Sequence, residues 1–246
     1  MKSENKLSLA LGGGSAFGFA HAGLLKTLSE KNIKISELSA CSMGAIIAGL
    51  MAKFDSGDKV FDFVINISKK DIFNFLNFRF DNYSLFSEKK VRKFFSDCIG
   101  DMKIGEASFE LKIIASDCDK NLVIFDKNVK IVDAIMASAA LPGLLPAQNG
   151  LYDGGFNTIV PVNVLTQNNF KIASNVYYIP SKKAWWLNFS ILKQFIRTRK
   201  ESSAADFVFE YNFQNGGMLN FFNIKKYAEN GYEQSKRILE GEEWKI

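Results

Sequence analysis

Ser42 lies in the run Ala40-Cys41-Ser42-Met43-Gly44, between a short apolar stretch and a longer one rich in Ala, Ile and Leu. A serine at a strand-to-helix turn is pushed out of the sheet on a tight backbone. It can serve as a nucleophile when the residues two before and two after it are small. Ala40 and Gly44 meet that demand. The helix behind such a serine aims free N–H groups and its positive dipole end at the same spot. The five residues also suit a simple helix N-cap, and Cys41 is a rival nucleophile that would point away from an exposed Ser42. A second candidate is Gly12-Gly13-Gly14-Ser15-Ala16-Phe17-Gly18. Consecutive glycines let backbone N–H groups converge, either on an oxyanion or on a phosphate. Gly12-x-Gly14-x-x-x-Gly18 is close to the dinucleotide fingerprint, with Glu37 at about the right remove for a ribose contact. The lysine and hydroxyl of a Walker loop do not follow Gly18.

The chain has one histidine, His21. A Ser-His-Asp triad would have to use it, yet it falls in the first turn of the helix after the glycine loop, with no sequence reason to meet Ser42. A hydrogen-bonding structural role suits it better. Another side chain must then take the serine proton, and a desolvated carboxylate in direct contact can do so. Asp153, in Leu151-Tyr152-Asp153-Gly154-Gly155, follows an apolar pair and precedes two glycines that let other backbone approach. The same sequence also suits an Asp-Gly hairpin turn. Asp117 and Asp119 read as turn acids at a hairpin tip.

The elements that must carry these residues follow from periodicity. Leu7 to Leu11 reads as a buried strand, Gly18 to Lys31 as a helix, Leu38 to Cys41 as a strand and Ser42 to about Met51 as a helix. A βαβα start implies a parallel sheet. Helices are expected over 59–68, 87–99 and 132–140, a hairpin over 110–116 and 121–126, and a strand over 176–179. The 246 residues suit one domain, 1–246, with a helical, basic and aromatic C-terminal part from about 181 to 246.

Composition narrows the setting. Cys41, Cys98 and Cys118 show no C-x-x-C spacing, which points away from a disulfide framework or a zinc site and towards a reducing, cytoplasmic compartment. The first residues hold too short an apolar run for a signal peptide, and no stretch has the length of a membrane span. Net charge is +5, compatible with an anionic membrane surface. Residues 182–200 place Lys182, Lys183, Lys193, Arg197, Arg199 and Lys200 among Trp185, Trp186, Phe189, Leu192 and Ile196. That pattern reads as an interfacial helix or as one packed on the domain. With no basic stripe elsewhere, nucleic acid is not expected. Phe73, Phe75, Phe78 and Phe80 alternate in a way that suits a lid or channel wall more than a helix face.

Together the segments LALGGGSAFGFAHAGLLKTL, ACSMGAIIAGL and ASAALPGLLPAQNGLYDGGFNTIVPV resemble the patatin-like phospholipase family, over about Leu7 to Val162. The first is similar to that family's glycine-rich loop, the second to its nucleophile turn, the third to the segment around its aspartate. The resemblance implies a three-layer α/β/α sandwich with a mostly parallel central sheet. It implies a Ser42–Asp153 dyad without histidine, and an oxyanion hole from the backbone of Gly13, Gly14 and Ser15 helped by Met43. Gly12, Gly18, Ala40, Gly44, Gly154 and Gly155 support these motifs. No metal or cofactor is implied. The implied activity is carboxylic ester hydrolysis on a phospholipid or other acyl lipid. Acyl transfer by the same chemistry, a nucleotide-binding module on the glycine loop, and an inactive lipid-binding relative are the competing readings. Three positions depart from the family's pattern: Ala40 and Ser15 where glycine is commoner, and Phe17 where a basic residue is usual.

Overall fold

The computed structural model describes residues 6–75, 84–178, 188–213 and 217–241. The strands are β1 (Leu7–Leu11), β2 (Ile35–Ala40), β3 (Glu110–Ser116), β4 (Leu122–Ile124), β5 (Tyr152–Asp153), β6 (Phe170–Tyr178) and β7 (Phe207–Phe213). The helices are α1 (Ala20–Glu30), α2 (Met43–Phe54), α3 (Gly57–Ile65), α4 (Lys69–Phe75), α5 (Glu88–Ile99), α6 (Ile131–Ser138), α7 (Asn188–Ser202) and α8 (Ile224–Glu240). The sheet runs β4-β3-β2-β1-β6-β7, with β5 beside β3. β1, β2, β3, β6 and β7 are mutually parallel, while β4 and β5 pair antiparallel with β3.

All five residues of β1 are buried, as expected for a central parallel strand covered on both faces. Alternation along the strands assigns the two faces. Leu9, Leu11, Leu38, Ile113 and Ile172 point into the main core, which α1, α2, α3, α6 and α8 cover. Ala10 and Ala173 point the other way, into a smaller cluster with Ile159, Val160, Val162 and Leu165, and α7 lies against β6 on that side. The molecule is a three-layer α/β/α sandwich around a mostly parallel sheet.

Two expectations about elements need correcting. The part after residue 181 is not wholly helical, because Phe207–Phe213 is a strand parallel to β6. Its sequence, FVFEYNF, buries Phe209, Tyr211 and Phe213 at every second position. That is a period-two pattern hidden in an aromatic-rich tail. The segment with alternating phenylalanines begins as helix α4, in which Phe73 is exposed. Phe78, Phe80, Trp185 and Trp186 lie outside the described residues. Among the described residues no helix is long and apolar enough to cross a membrane.

Candidate active site

Parallel strands release their connections at one end of the sheet, where ligand sites of open α/β folds gather. Leu11 and Ala40 are register partners at that end of β1 and β2, so the glycine loop and the serine turn leave the sheet side by side. Ser42 has φ 53° and ψ −121°, a backbone few L-residues adopt and one that marks functional turns. Its carbonyl accepts from Ala45 and Ile46 as α2 begins. The close packing explains Gly44. A β-carbon there would sit 2.3 Å from the Leu11 carbonyl oxygen and 2.8 Å from that of Gly12, both backbone atoms that cannot swing aside. Ala40 is fully buried in the core, where its methyl is accommodated.

Asp153 reaches Ser42 through β3. Ala40 pairs with Ile113, and Ala115, two residues on, pairs with Asp153. The Asp153 N–H donates to the Ala140 carbonyl at 3.1 Å. The Ser42 hydroxyl donates to Asp153 Oδ2 at 2.5 Å, while Oδ1 accepts the Gly155 N–H at 2.8 Å. Asp153 is almost fully buried. Desolvation pushes its carboxyl up from 3.8 to about 6, against the hydrogen bonds from Ser42, Gly155 and Cys41, which pull it down. A carboxylate so placed is ionised at neutral pH yet basic enough to take a proton. Cys41 is buried, and desolvation together with the Asp153 charge holds its thiol well above its usual range. That disfavours the thiolate the rival reading needs.

His21 takes no part in this contact. Its Nε2 lies 2.8 Å from the Gly12 carbonyl, which can only accept, so Nε2 carries the proton and Nδ1 accepts from the Ser174 hydroxyl at 2.7 Å. Complete burial lowers it to about 4, so the ring is neutral and tethers the glycine loop to β6. Within that loop the Gly12 N–H donates to Ser174 O, Gly13 N–H to Ile159 O at 2.8 Å and Ala16 N–H to Met218 O. Among the described residues, the Gly14 and Ser15 amides are the ones left over in this loop. Gly18 stands beside Met43, and Gly154 beside Cys41 and Ile114. Phe17 is buried, stacks on Phe213 at 4.7 Å and meets the Tyr227 ring edge-on at 5.0 Å. The side chain that replaces the family's usual cation is core packing.

Glu37 answers the nucleotide reading. It is sealed by Ser8, Lys112, Thr166 and Asn169, and its register partner Ser8 stands near the start of β1. The glycine loop closes β1, so the two lie at opposite ends of the strand. Asp117 caps its own hairpin through Asp119 and Asn121.

A cavity of about 600 Å³ opens over the serine. Gly13, Gly14, Ser15, Ser42, Met43 and Asp153 form its polar end, and Ile46, Leu50, Phe75, Phe86, Phe94 and Leu144 are among the apolar side chains of the rest. Small-molecule sites are typically about 300–1,000 Å³ and predominantly apolar with a few convergent polar groups. Among the described residues, no group of three or more His, Cys, Asp and Glu side chains is arranged to hold a metal.

The family model for patatin-like phospholipase matches residues 9–166. The chain belongs to this family. An uncharacterized NTE family protein of Mycobacterium tuberculosis is 25% identical over 164 residues, covering 65% of this chain and 45% of that protein. Neuropathy target esterase sws of Drosophila melanogaster is 26% identical over 170 residues, covering 65% of this chain and 12% of that protein. The chain thus spans less than half the length of these relatives. In fold it is similar to VipD from Legionella pneumophila, with a TM-score of 0.61 at 12% identity over 97% of this chain and 67% of that one.

Three site neighbours escaped the sequence reading. Ser138, at the end of α6, accepts the Ser42 N–H at 2.9 Å; it lies within ASAALPGLL, but nothing local marks it. Arg197 and Glu201 lie on α7 and hold the backbone after Asp153. Arg197 was read only as one of a run of cations, and Glu201 falls just past that run; their spacing of four was the available signal.

Proposed function

We propose that this chain is a lipid acyl hydrolase that cleaves carboxylic esters through a Ser42–Asp153 dyad. The 2.5 Å contact between the Ser42 hydroxyl and a buried Asp153, with the one histidine neutral and engaged elsewhere, carries the reading. Ser42 Oγ attacks the ester carbonyl and its proton passes to Asp153. The amides of Gly14 and Ser15, with that of Met43 at the α2 N-terminus, hold the oxyanion. Gly13 gives its N–H to Ile159, so its part is to shape the loop and let Ser42 approach. Collapse of the tetrahedral adduct expels the alcohol, which takes the proton from Asp153. Water then attacks the acyl-enzyme with Asp153 again as base, freeing the acid and restoring the serine. No metal or cofactor enters these steps.

The apolar cavity suits an acyl chain, and its surroundings suit a membrane source. Leu141 and Phe156 line the cavity and are exposed, and exposed Phe73, Ile196, Leu219 and Phe222 each adjoin a lining residue in sequence. Lys193 lies on its wall, as does Arg197, whose charge is paired with Glu201. This combination fits peripheral contact with an anionic phospholipid surface, from which a phospholipid or lysophospholipid acyl chain enters. The test is product analysis by mass spectrometry on vesicles of phosphatidylcholine, lysophosphatidylcholine and anionic phospholipid, with short soluble esters alongside. The expected result is free fatty acid release that Ser42→Ala abolishes and His21→Ala largely preserves. Turnover that survives Ser42→Ala overturns the proposal.

A further inference from the structure

The segment that follows Asp153 has no strand to hold it. Residues 154–156 form a single 3-10 turn, the Asn157 and Thr158 N–H groups close on the Gly154 carbonyl, and the chain then enters the smaller core cluster. Helix α7 supplies much of its anchorage. The Arg197 guanidinium donates through Nη1 to the Gly155 carbonyl at 3.0 Å and through Nη2 to the carbonyls of Phe156 and Asn157. Its Nε donates to Glu201 Oε1 at 2.9 Å. Glu201 Oε2 in turn accepts the N–H groups of Ile159 at 2.8 Å and Val160 at 2.9 Å. Five backbone groups between Gly155 and Val160 therefore end on one pair of side chains a helical turn apart. Further ties come from the other side: Ser116 Oγ on β3 accepts the Asn157 N–H and donates to the Gly154 carbonyl, and the Asn157 amide donates to the Lys120 carbonyl.

Both ends of that segment touch the proposed chemistry. The Gly155 N–H is a hydrogen bond to Asp153 Oδ1. The Ile159 carbonyl accepts the Gly13 N–H and so fixes the glycine loop. We infer that Arg197 and Glu201 are positioning residues, a clamp that sets the base and the oxyanion loop at a fixed separation about Ser42. Arginine suits the task because its planar fork reaches several carbonyls while its Nε keeps the carboxylate. Glu201 is the more enclosed partner, with 14% of its side chain accessible against 37% for Arg197. Their charges reach the serine turn: at Cys41 the Glu201 charge acts to raise the thiol and the Arg197 charge to lower it.

The inference rests on the Ser42–Asp153 chemistry proposed above, and the experiment separates the two. Arg197→Met, Arg197→Lys, Glu201→Gln and the double variant Arg197→Met/Glu201→Gln are assayed on a short soluble ester, which needs no membrane docking. Thermal unfolding identifies the folded variants, and fluorophosphonate labelling of Ser42 is followed against pH. Misplacing reacting groups by about an ångström costs up to about a hundredfold. The folded single variants should thus lose about 10- to 100-fold in kcat, with KM within about threefold. The double variant should lose no more than the worse single, because the pair acts as a unit. Arg197→Lys should restore little, since one ammonium cannot span three carbonyls and Glu201. Loosening the segment admits water to Asp153, so the labelling midpoint should fall by about one pH unit from near 6. Variants that lower the unfolding temperature but keep kcat and the pH midpoint refute the clamp. Additive losses in the double variant refute it also. A wild type whose turnover survives Ser42→Ala refutes the proposed chemistry, and the clamp's role with it.

Discussion

Replacing Asp153 with Asn measures what the site spends on holding a charge out of water. Burial raises the Asp153 carboxyl from 3.8 to about 6, and each pH unit of such a shift is worth about 1.4 kcal/mol. The ionised folded state therefore carries a cost of roughly 3 kcal/mol relative to an unfolded chain whose aspartate titrates near the ordinary value. The sign is set by the direction of the shift. Below about pH 3 the group is protonated in both states and the cost is absent. As pH rises from about 4 to about 6 the unfolded chain loses its proton while the buried group keeps its own, so stability falls; above about 6 both states are ionised and the cost is constant. Asparagine keeps the shape and never ionises. Its oxygen can accept from Gly155 and its amide can donate to Ser42 Oγ, so no buried partner is stranded. Asp153→Asn should therefore abolish turnover while stabilising the fold by about 1–3 kcal/mol at pH 8, a rise of several degrees in melting temperature for a chain this long. The gain should be nearly unchanged at pH 6 and vanish by about pH 3. Urea unfolding of wild type and variant at the three pH values reads this directly. An equal difference at all three values, or an asparagine variant less stable than wild type at pH 8, refutes the assignment of Asp153 as a desolvated base.

Other expectations follow from the same geometry. Ser138→Ala leaves the Ser42 N–H without its acceptor, which should cost about 1–3 kcal/mol of stability and lower kcat with little change in KM, as steady-state kinetics on a soluble ester would show. Gly44→Ala drives a methyl into the Leu11 and Gly12 carbonyls; overpacking of this kind costs about 1–3 kcal/mol or more, and fluorophosphonate labelling of Ser42 should be lost. His21→Ala strands the Gly12 carbonyl and removes one partner of the Ser174 hydroxyl, so chemical denaturation should reveal a loss of about 1–3 kcal/mol while most ester turnover persists. Turnover of the wild type should rise with pH along a single titration centred near 6, as Asp153 ionises, and a midpoint near 4 would indicate a solvated carboxylate.

The sheet's start and the serine turn were legible because their causes are local. A five-residue apolar run ending in glycines, and small residues two on either side of Ser42, are steric requirements written within a few positions of the atoms they serve. The contact of Asp153 with Ser42 was legible only jointly with the other motifs, since Asp-Gly alone reads as a turn; it comes from the register of β5 on β3, across 111 residues of chain. Ser138 was not legible for the same reason. It meets Ser42 from 96 residues away, and a serine near a helix end has many uses. The glycine loop was legible as a loop but not amide by amide, because the carbonyl that occupies Gly13 belongs to Ile159. Strand β7 was missed because charge and aromatic content drew attention away from a clear two-residue alternation. Phe17 was noticed as a departure, yet its burial against Phe213 and Tyr227 depends on that missed strand.

The most direct test of the central claim is the site of covalent capture by a fluorophosphonate, read by peptide mass spectrometry on wild type, Asp153→Asn and His21→Ala. The account predicts a single adduct on Ser42 at pH 8, abolished or slowed about a thousandfold or more in Asp153→Asn and retained in folded His21→Ala. An adduct on another residue, or labelling of Ser42 that depends on His21 and not on Asp153, would contradict it.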